Sequence, residues 1–101
     1  MATPVTVSTS RDAEGRVVVT ATGELDMSNI DDFSGTLAKA LAQSDGEPVQ
    51  LDFRGIEYLD SGAINALFPH AERVRLIANP VLSAVLKISG LTDVMSVETG
   101  G

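Results

Sequence analysis

The stretch "VQLDFRGIEYLDSGAINALF", residues 49–68, decides the fold. Its first part alternates: Val49, Leu51 and Phe53 fall on one side of an extended chain, and Gln50, Asp52 and Arg54 on the other. A strand of that kind packs one face of a sheet and leaves the other at least partly polar. Its last part places Ile64, Leu67 and Phe68 at i, i+3 and i+4, with Ala71 following at i+7, which is the stripe of an amphipathic helix. A polar knot, Asp60-Ser61-Gly62, separates the apolar strand-like run from the helix. Pro69 biases Phe68 away from helical angles, so the helix is expected to kink or end there.

The pattern continues on both sides. Upstream, "PVTVST" alternates, "RVVVTATG" is β-branched, and "RDAEGR" between them reads as a hairpin turn. After "GELDM", the segment "SNIDDFSGTLAKALAQSDG" carries Ile30, Phe33, Leu37 and Leu41 at helical spacing. Ser28 with Asp31 resembles a capping box, Asp31 and Asp32 suit the positive end of the helix, and Gly46 and Pro48 stop it. Downstream, "VRLIAN" is a strand, "PVLSAVLKISG" a helix and "LTDVMSV" a last short strand. In that helix Pro80 lies near the first turn, Lys87 in the last, and Gly90 where a C-terminal cap falls. The order β-β-α-β-α-β-α-β predicts an α/β chain (α+β-like), with a mixed sheet and helices mainly on one face.

Composition sets the outer limits. A length of 101 residues fits a single domain over 1–101. Apolar residues make up 44% and aromatics 4%, so the core is expected from Val, Leu, Ile and Ala. Fourteen acids against seven bases leave a net charge of −7, which repels phosphate backbones and anionic membranes. Direct nucleic-acid or membrane binding is therefore not expected. The absence of Cys excludes disulfides and thiolate chemistry. The N-terminal stretch lacks the pattern of a signal peptide, and no apolar run approaches the roughly 20 residues of a membrane span, so a cytoplasmic location is expected.

Few residues carry chemistry. The scattered glycines form neither a GxGxxG nor a Walker pattern, His70 is the only His, and no triad or metal spacing is present. Neither an enzyme nor a cofactor is expected. The hydroxyl at the start of the second helix has a structural role, accepting a hydrogen bond from an orphan backbone N–H. The same position tolerates a phosphoryl group on Ser61, which would bring roughly −1.5 to −2 charges beside Asp60. Asp26, Asp52 and Asp60 each fall at or near a predicted strand end. Such a set could hold Mg²⁺ and make Asp52 or Asp60 an aspartyl phosphoacceptor. Adjacent acids, a doubly wound pattern and a strand-end Lys are lacking, and solvated loop acids with one N-cap account for them better.

Three segments together resemble one family. "VTATGELDMSNIDDFSGTLAKAL" resembles the opening of STAS domains of the bacterial anti-sigma factor antagonist type, with their "GELD"-like turn. "VQLDFRGIEYLDSGAINAL" is similar to the family's central strand and "DSSG"-type loop, and "NPVLSAVLKISGLTDVMSV" to its closing helix, "GL" and last strand. The likeness runs from about residue 5 to 98. It implies a protein partner, a serine-kinase anti-sigma factor whose capture frees a sigma factor, and control by phosphorylation at the loop. Carried over, Asp26 matches the Asp of the first turn, and Asp60 and Ser61 match the Asp and first Ser of the loop. The family's usual acceptor is the second Ser, where this chain has Gly62, and Ala63 stands where the family often has Gly. A one-residue gap would make Ser61 the acceptor but would throw Ile64 off the family's apolar position. The surface expected to dock is Asp26, Asp60, Ser61, Gly62, Ala63 and Asn65, with Ser61 the candidate for phosphorylation. Loss of the second Ser favours an alternative, a STAS scaffold that is never phosphorylated. Self-association through a sheet edge stays open.

Overall fold

The alternating residues 49–53 become part of the central strand of a five-stranded sheet with strand order β1-β2-β3-β4-β5. The computed structural model describes residues 5–100; residues 1–4, including the Pro4 that opens the predicted first strand, and residue 101 lie outside the described residues. Strands β1 (Thr6–Arg11) and β2 (Val17–Leu25) form the predicted hairpin and pair antiparallel. β3 (Val49–Leu59), β4 (Val74–Ala78) and β5 (Ser96–Thr99) then add in parallel. The crossovers carry α1 (Ile30–Gln43), α2 (Ser61–Leu67) and α3 (Ser83–Ile88). Crossovers of one hand that advance in one direction along a sheet put their helices on the same face.

Burial follows that geometry. The register places Val19, Leu51 and Leu76 side by side, and each is fully buried. Phe33, Leu37, Ala40 and Leu41 of α1 close over them, and the rings of Phe33 and Phe53 meet edge to face at 5.5 Å. The opposite face carries Thr20, Asp52 and Ile77 in one row and Val18, Gln50 and Arg75 in the next, only partly covered. There Asp52 accepts two hydrogen bonds from the Arg54 guanidinium, at 2.9 and 2.7 Å, which hold its carboxyl below the usual range. Among the described residues no helix is long and apolar enough to cross a membrane.

β3 is longer than its alternating part, and its inward residues do not keep a period of two. Val49, Leu51 and Phe53 are followed by Ile56 and Leu59, all in the core. The reason is two shifts of register against β2, between Thr20/Thr22 and between Gly23/Glu24. Each is a bulge that inserts one extra residue in β3 and turns its next side chain inward again. Gly55 lies in the first bulge, where an added Cβ would come within 2.5 Å of Thr22 Cγ2.

Four local expectations are corrected. The Ser28/Asp31 capping box does not form: the helix begins at Ile30 with Asn29 as N-cap, and no side chain caps it. Phe68 keeps helical angles (φ −53°, ψ −45°) despite Pro69. The α-helix does end here, at Leu67, one of the two outcomes expected, and Pro69 sits in the first turn of a 3₁₀ helix, Phe68–Arg73, where its missing N–H would lack a partner anyway. Asp52 lies mid-strand, because β3 continues to Leu59. The last strand begins at Ser96, not near Leu91. Gly90 (φ +85°) ends α3, and the next turn uses the N–H groups of Val94 and Met95 on the Leu91 carbonyl while burying Leu91.

A Gly55→Ala substitution is expected to cost about 1–3 kcal/mol in urea unfolding by overpacking against Thr22. Adding Thr22→Ala should recover most of that loss; additive costs would show that the contact is not what requires glycine.

Candidate functional site

The carboxyl ends of β2 and β3 carry most of the residues singled out from the sequence. Asp26 follows the last residue of β2, and Asp60 follows the last residue of β3. Asp60, not Ser61, caps α2, which corrects the expectation that the hydroxyl does so. Extended angles at Asp60 (φ −91°, ψ 175°) let its side chain fold back over the helix start, where Oδ1 accepts from Ala63 N at 2.8 Å. Oδ2 accepts from Met27 N at 3.1 Å, and Asp60 N donates to Leu25 O at 3.4 Å. One residue therefore ties the end of β2, the β2–α1 turn and the start of α2 together.

The β2–α1 turn is built around Asp26. Its Oδ1 accepts from Ser28 N at 2.9 Å and Ser28 Oγ at 2.5 Å. Asn29 Oδ1 accepts from Asp26 N, while its amide donates to Glu24 O, both at 2.9 Å. The Ser28 hydroxyl, followed by the Ser28 backbone N–H, holds the Asp26 carboxyl below its ordinary value. This is the depressed case: the group's contribution to stability is present above the unfolded value of 3.8 and is lost as pH falls through the lower folded value.

On this frame Ser61 is the first helical residue of α2 and is exposed. Among the described residues its hydroxyl makes no hydrogen bond, because Asp60 already serves the helix start. Asn65, one turn on, is also exposed. Ala63, expected in the docking surface, is fully buried and belongs to the core beneath the loop. Gly62 is covered by a residue the sequence did not single out: the Met27 side chain lies where a Cβ on Gly62 would be, with Sδ 3.2 Å from that point. Met27 is 73% exposed, an unusual position for so apolar a side chain. Its place four residues after Gly23 in a turn gave no periodic signal.

The three acids do not converge into one site. Asp52 is engaged by Arg54 on the open sheet face, Asp60 uses both oxygens on backbone N–H groups, and Asp26 is bound to Ser28. Among the described residues no group of three His, Asp or Glu side chains stands close enough to hold a metal. His70 sits half-buried in the 3₁₀ helix, apart from the loop.

A sheet of four parallel strands extended by one antiparallel strand, helices on one face and a capped loop at the carboxyl ends define the fold of anti-sigma factor antagonists. The structure is similar to an anti-sigma factor antagonist from Mycobacterium paratuberculosis, with a TM-score of 0.81 and 21% identity over 94% of this chain and 86% of that one. It is also similar to the anti-sigma factor antagonist SpoIIAA in its unphosphorylated form, with a TM-score of 0.71 and 19% identity over 93% and 89% of the two chains. The Bacillus cell fate determinant SpoIIAA in the phosphorylated form gives 0.56 and 22% over 93% and 92%. No curated protein matches the sequence. The family model described as Mlab, STAS domain matches residues 8–98, and the chain belongs to that family.

Two outcomes are expected from this geometry. Asp60→Ala should lower stability by about 1–2 kcal/mol and speed amide exchange at both Met27 and Ala63, whereas exchange at Ala63 alone would deny the bridge to the turn. Ser28→Ala should move the carboxyl titration of Asp26 up toward its ordinary value, read by NMR; an unmoved titration would mean that Ser28 does not set it.

Proposed function

We propose that this chain is an anti-sigma factor antagonist-like binding module that docks on a serine-kinase anti-sigma factor and thereby frees a sigma factor. The docking surface is Asp26, Asp60, Ser61, Gly62 and Asn65, with buried Ala63 supporting it from beneath. The observation that carries the reading is the Asp60 carboxylate, which makes two neighbouring turns one surface and leaves Ser61 exposed at its centre. Surface positioned by a cap and a sheet end loses little freedom on binding, which favours affinity. The family assignment and the antagonist fold of the similar structures support the same class of role.

Control by phosphate is placed on Ser61. A phosphoryl group there would add roughly −1.5 to −2 charges beside Asp60 and within reach of the Asp26 turn, and so would repel a partner surface matched to the neutral hydroxyl. A second reading has its own support. Gly62 lacks the hydroxyl of the family's usual acceptor, and Met27 fills the space above it. In that reading the module docks without a phosphate switch.

The test is affinity for the serine-kinase anti-sigma factors of the same host. In the switching case Ser61→Glu should bind about tenfold more weakly than Ser61→Ala, a difference of roughly 1.4 kcal/mol. Equal affinities would remove the switch at Ser61. Intact-mass analysis of the protein from its host, before and after phosphatase, separates the two readings. A phosphate mapped to Ser61 supports the first; an unmodified chain that stays bound in the presence of ATP supports the second.

A further inference from the structure

The other end of the sheet gathers arginines. There the first residues of β2 and β3, the β1–β2 turn and the loop after α1 surround a cavity of about 450 Å³. Three of the chain's seven basic residues, Arg11, Arg16 and Arg75, line it, in a protein with fourteen acids. Arg11 is fixed by two carbonyls, its Nη1 donating to Gly15 O at 2.7 Å and its Nη2 to Gln43 O at 3.4 Å. Carbonyls orient a guanidinium without neutralising it, and three of its five N–H donors remain. Glu14 and Glu47 also line the cavity, but neither forms an ion pair with an Arg. Among the described residues the one ion pair is Arg54 with Asp52, on the open face of the sheet.

The polar groups are placed to be used together. Gln50 and Arg75 are partners in the β3/β4 register, so their side chains stand next to each other on the open sheet face as it enters the cavity. Arg16 approaches from the turn, whose own N–H groups are occupied: Asp12 Oδ1 accepts from Glu14 N at 3.0 Å and Arg16 N at 2.9 Å. Any anion here is therefore held by guanidinium groups rather than by the backbone. No aromatic ring lines the cavity, so nothing is available to stack on a base. Three separated cationic forks select for a ligand with several charged oxygens, and guanidinium matches phosphate oxygens in pairs.

We propose that this cavity binds a small polyanion with two linked phosphate groups, contacted by Arg16, Arg75 and Gln50, with Arg11 as a fixed charge. The site is about 25 Å along β2 from the Asp60 loop, and it does not depend on the docking reading. The volume falls in the range of small-molecule sites. The net charge of −7 disfavours long polyanions, which would also run over the acidic surface beyond the cavity.

The experiment is calorimetric titration of the full chain with inorganic pyrophosphate at low ionic strength, alongside amide chemical-shift mapping. Saturable one-to-one binding is expected, with shifts centred on Gly15, Arg16 and Gln50. Arg16→Gln and Arg75→Gln should each weaken it about tenfold, the loss of one charge-assisted pair. Lys39→Gln, on exposed α1 outside the cavity, should leave it unchanged. No saturable binding, or equal weakening by Lys39→Gln, would overturn the assignment. Both arginines are exposed, so the variants are expected to fold, which unchanged amide dispersion would verify.

Discussion

The arrangement of the functional end rests on one carboxylate. Asp60 leaves β3 with extended angles and returns its side chain to two backbone N–H groups on different elements. Orphan donors at a helix start must be satisfied somewhere, and here one residue serves the helix and the neighbouring turn at once. Since Asp60 takes the capping role, Ser61 is released from it. A chain with Ser as cap would have its hydroxyl turned inward; this one keeps it in solvent, next to the only exposed Met of the loop region.

The sheet separates the rest of the molecule into two regimes. Toward the helices it is closed, with an unbroken set of aliphatic side chains and one aromatic pair. Away from them it keeps Ser, Thr, Gln, Asp and Arg in rows, with a single ion pair to neutralise Asp52. The strands also carry different side chains at their two ends. Backbone-bound acids gather at the carboxyl ends, and unpaired guanidinium groups at the amino ends.

Much of this was legible in the chain before its structure. The order of elements followed from alternation in Val49–Phe53, the helical stripe Ile64–Leu67 and the Gly90 stop, because those signals are local and reinforced by burial. The elements misread were the ones that depend on contacts from elsewhere. Ser28 satisfied the pattern of a capping box, but Asn29 takes the N-cap position and the Ser28 hydroxyl donates to Asp26 instead. Pro69 argued against a helical Phe68, yet packing of Phe68 on the core held it in place. Ala63 looked like part of a loop surface because it is small and directly follows the polar knot, and only the turn of α2 carries it inside. Met27 over Gly62 and the arginine-lined cavity join residues from separate elements, so no window of sequence contains them.

The two bulges have a consequence for how this protein can change in length. Between the pairs Val18–Gln50 and Leu25–Leu59, β3 uses two residues more than β2. Deleting one of them would not simply shorten a strand. It would swap inward and outward side chains for everything beyond the deletion, sending Ile56 or Leu59 to solvent and rotating Asp60 off Met27. Single-residue indels in this family's central strand should therefore be rare in isolation and occur in compensating pairs.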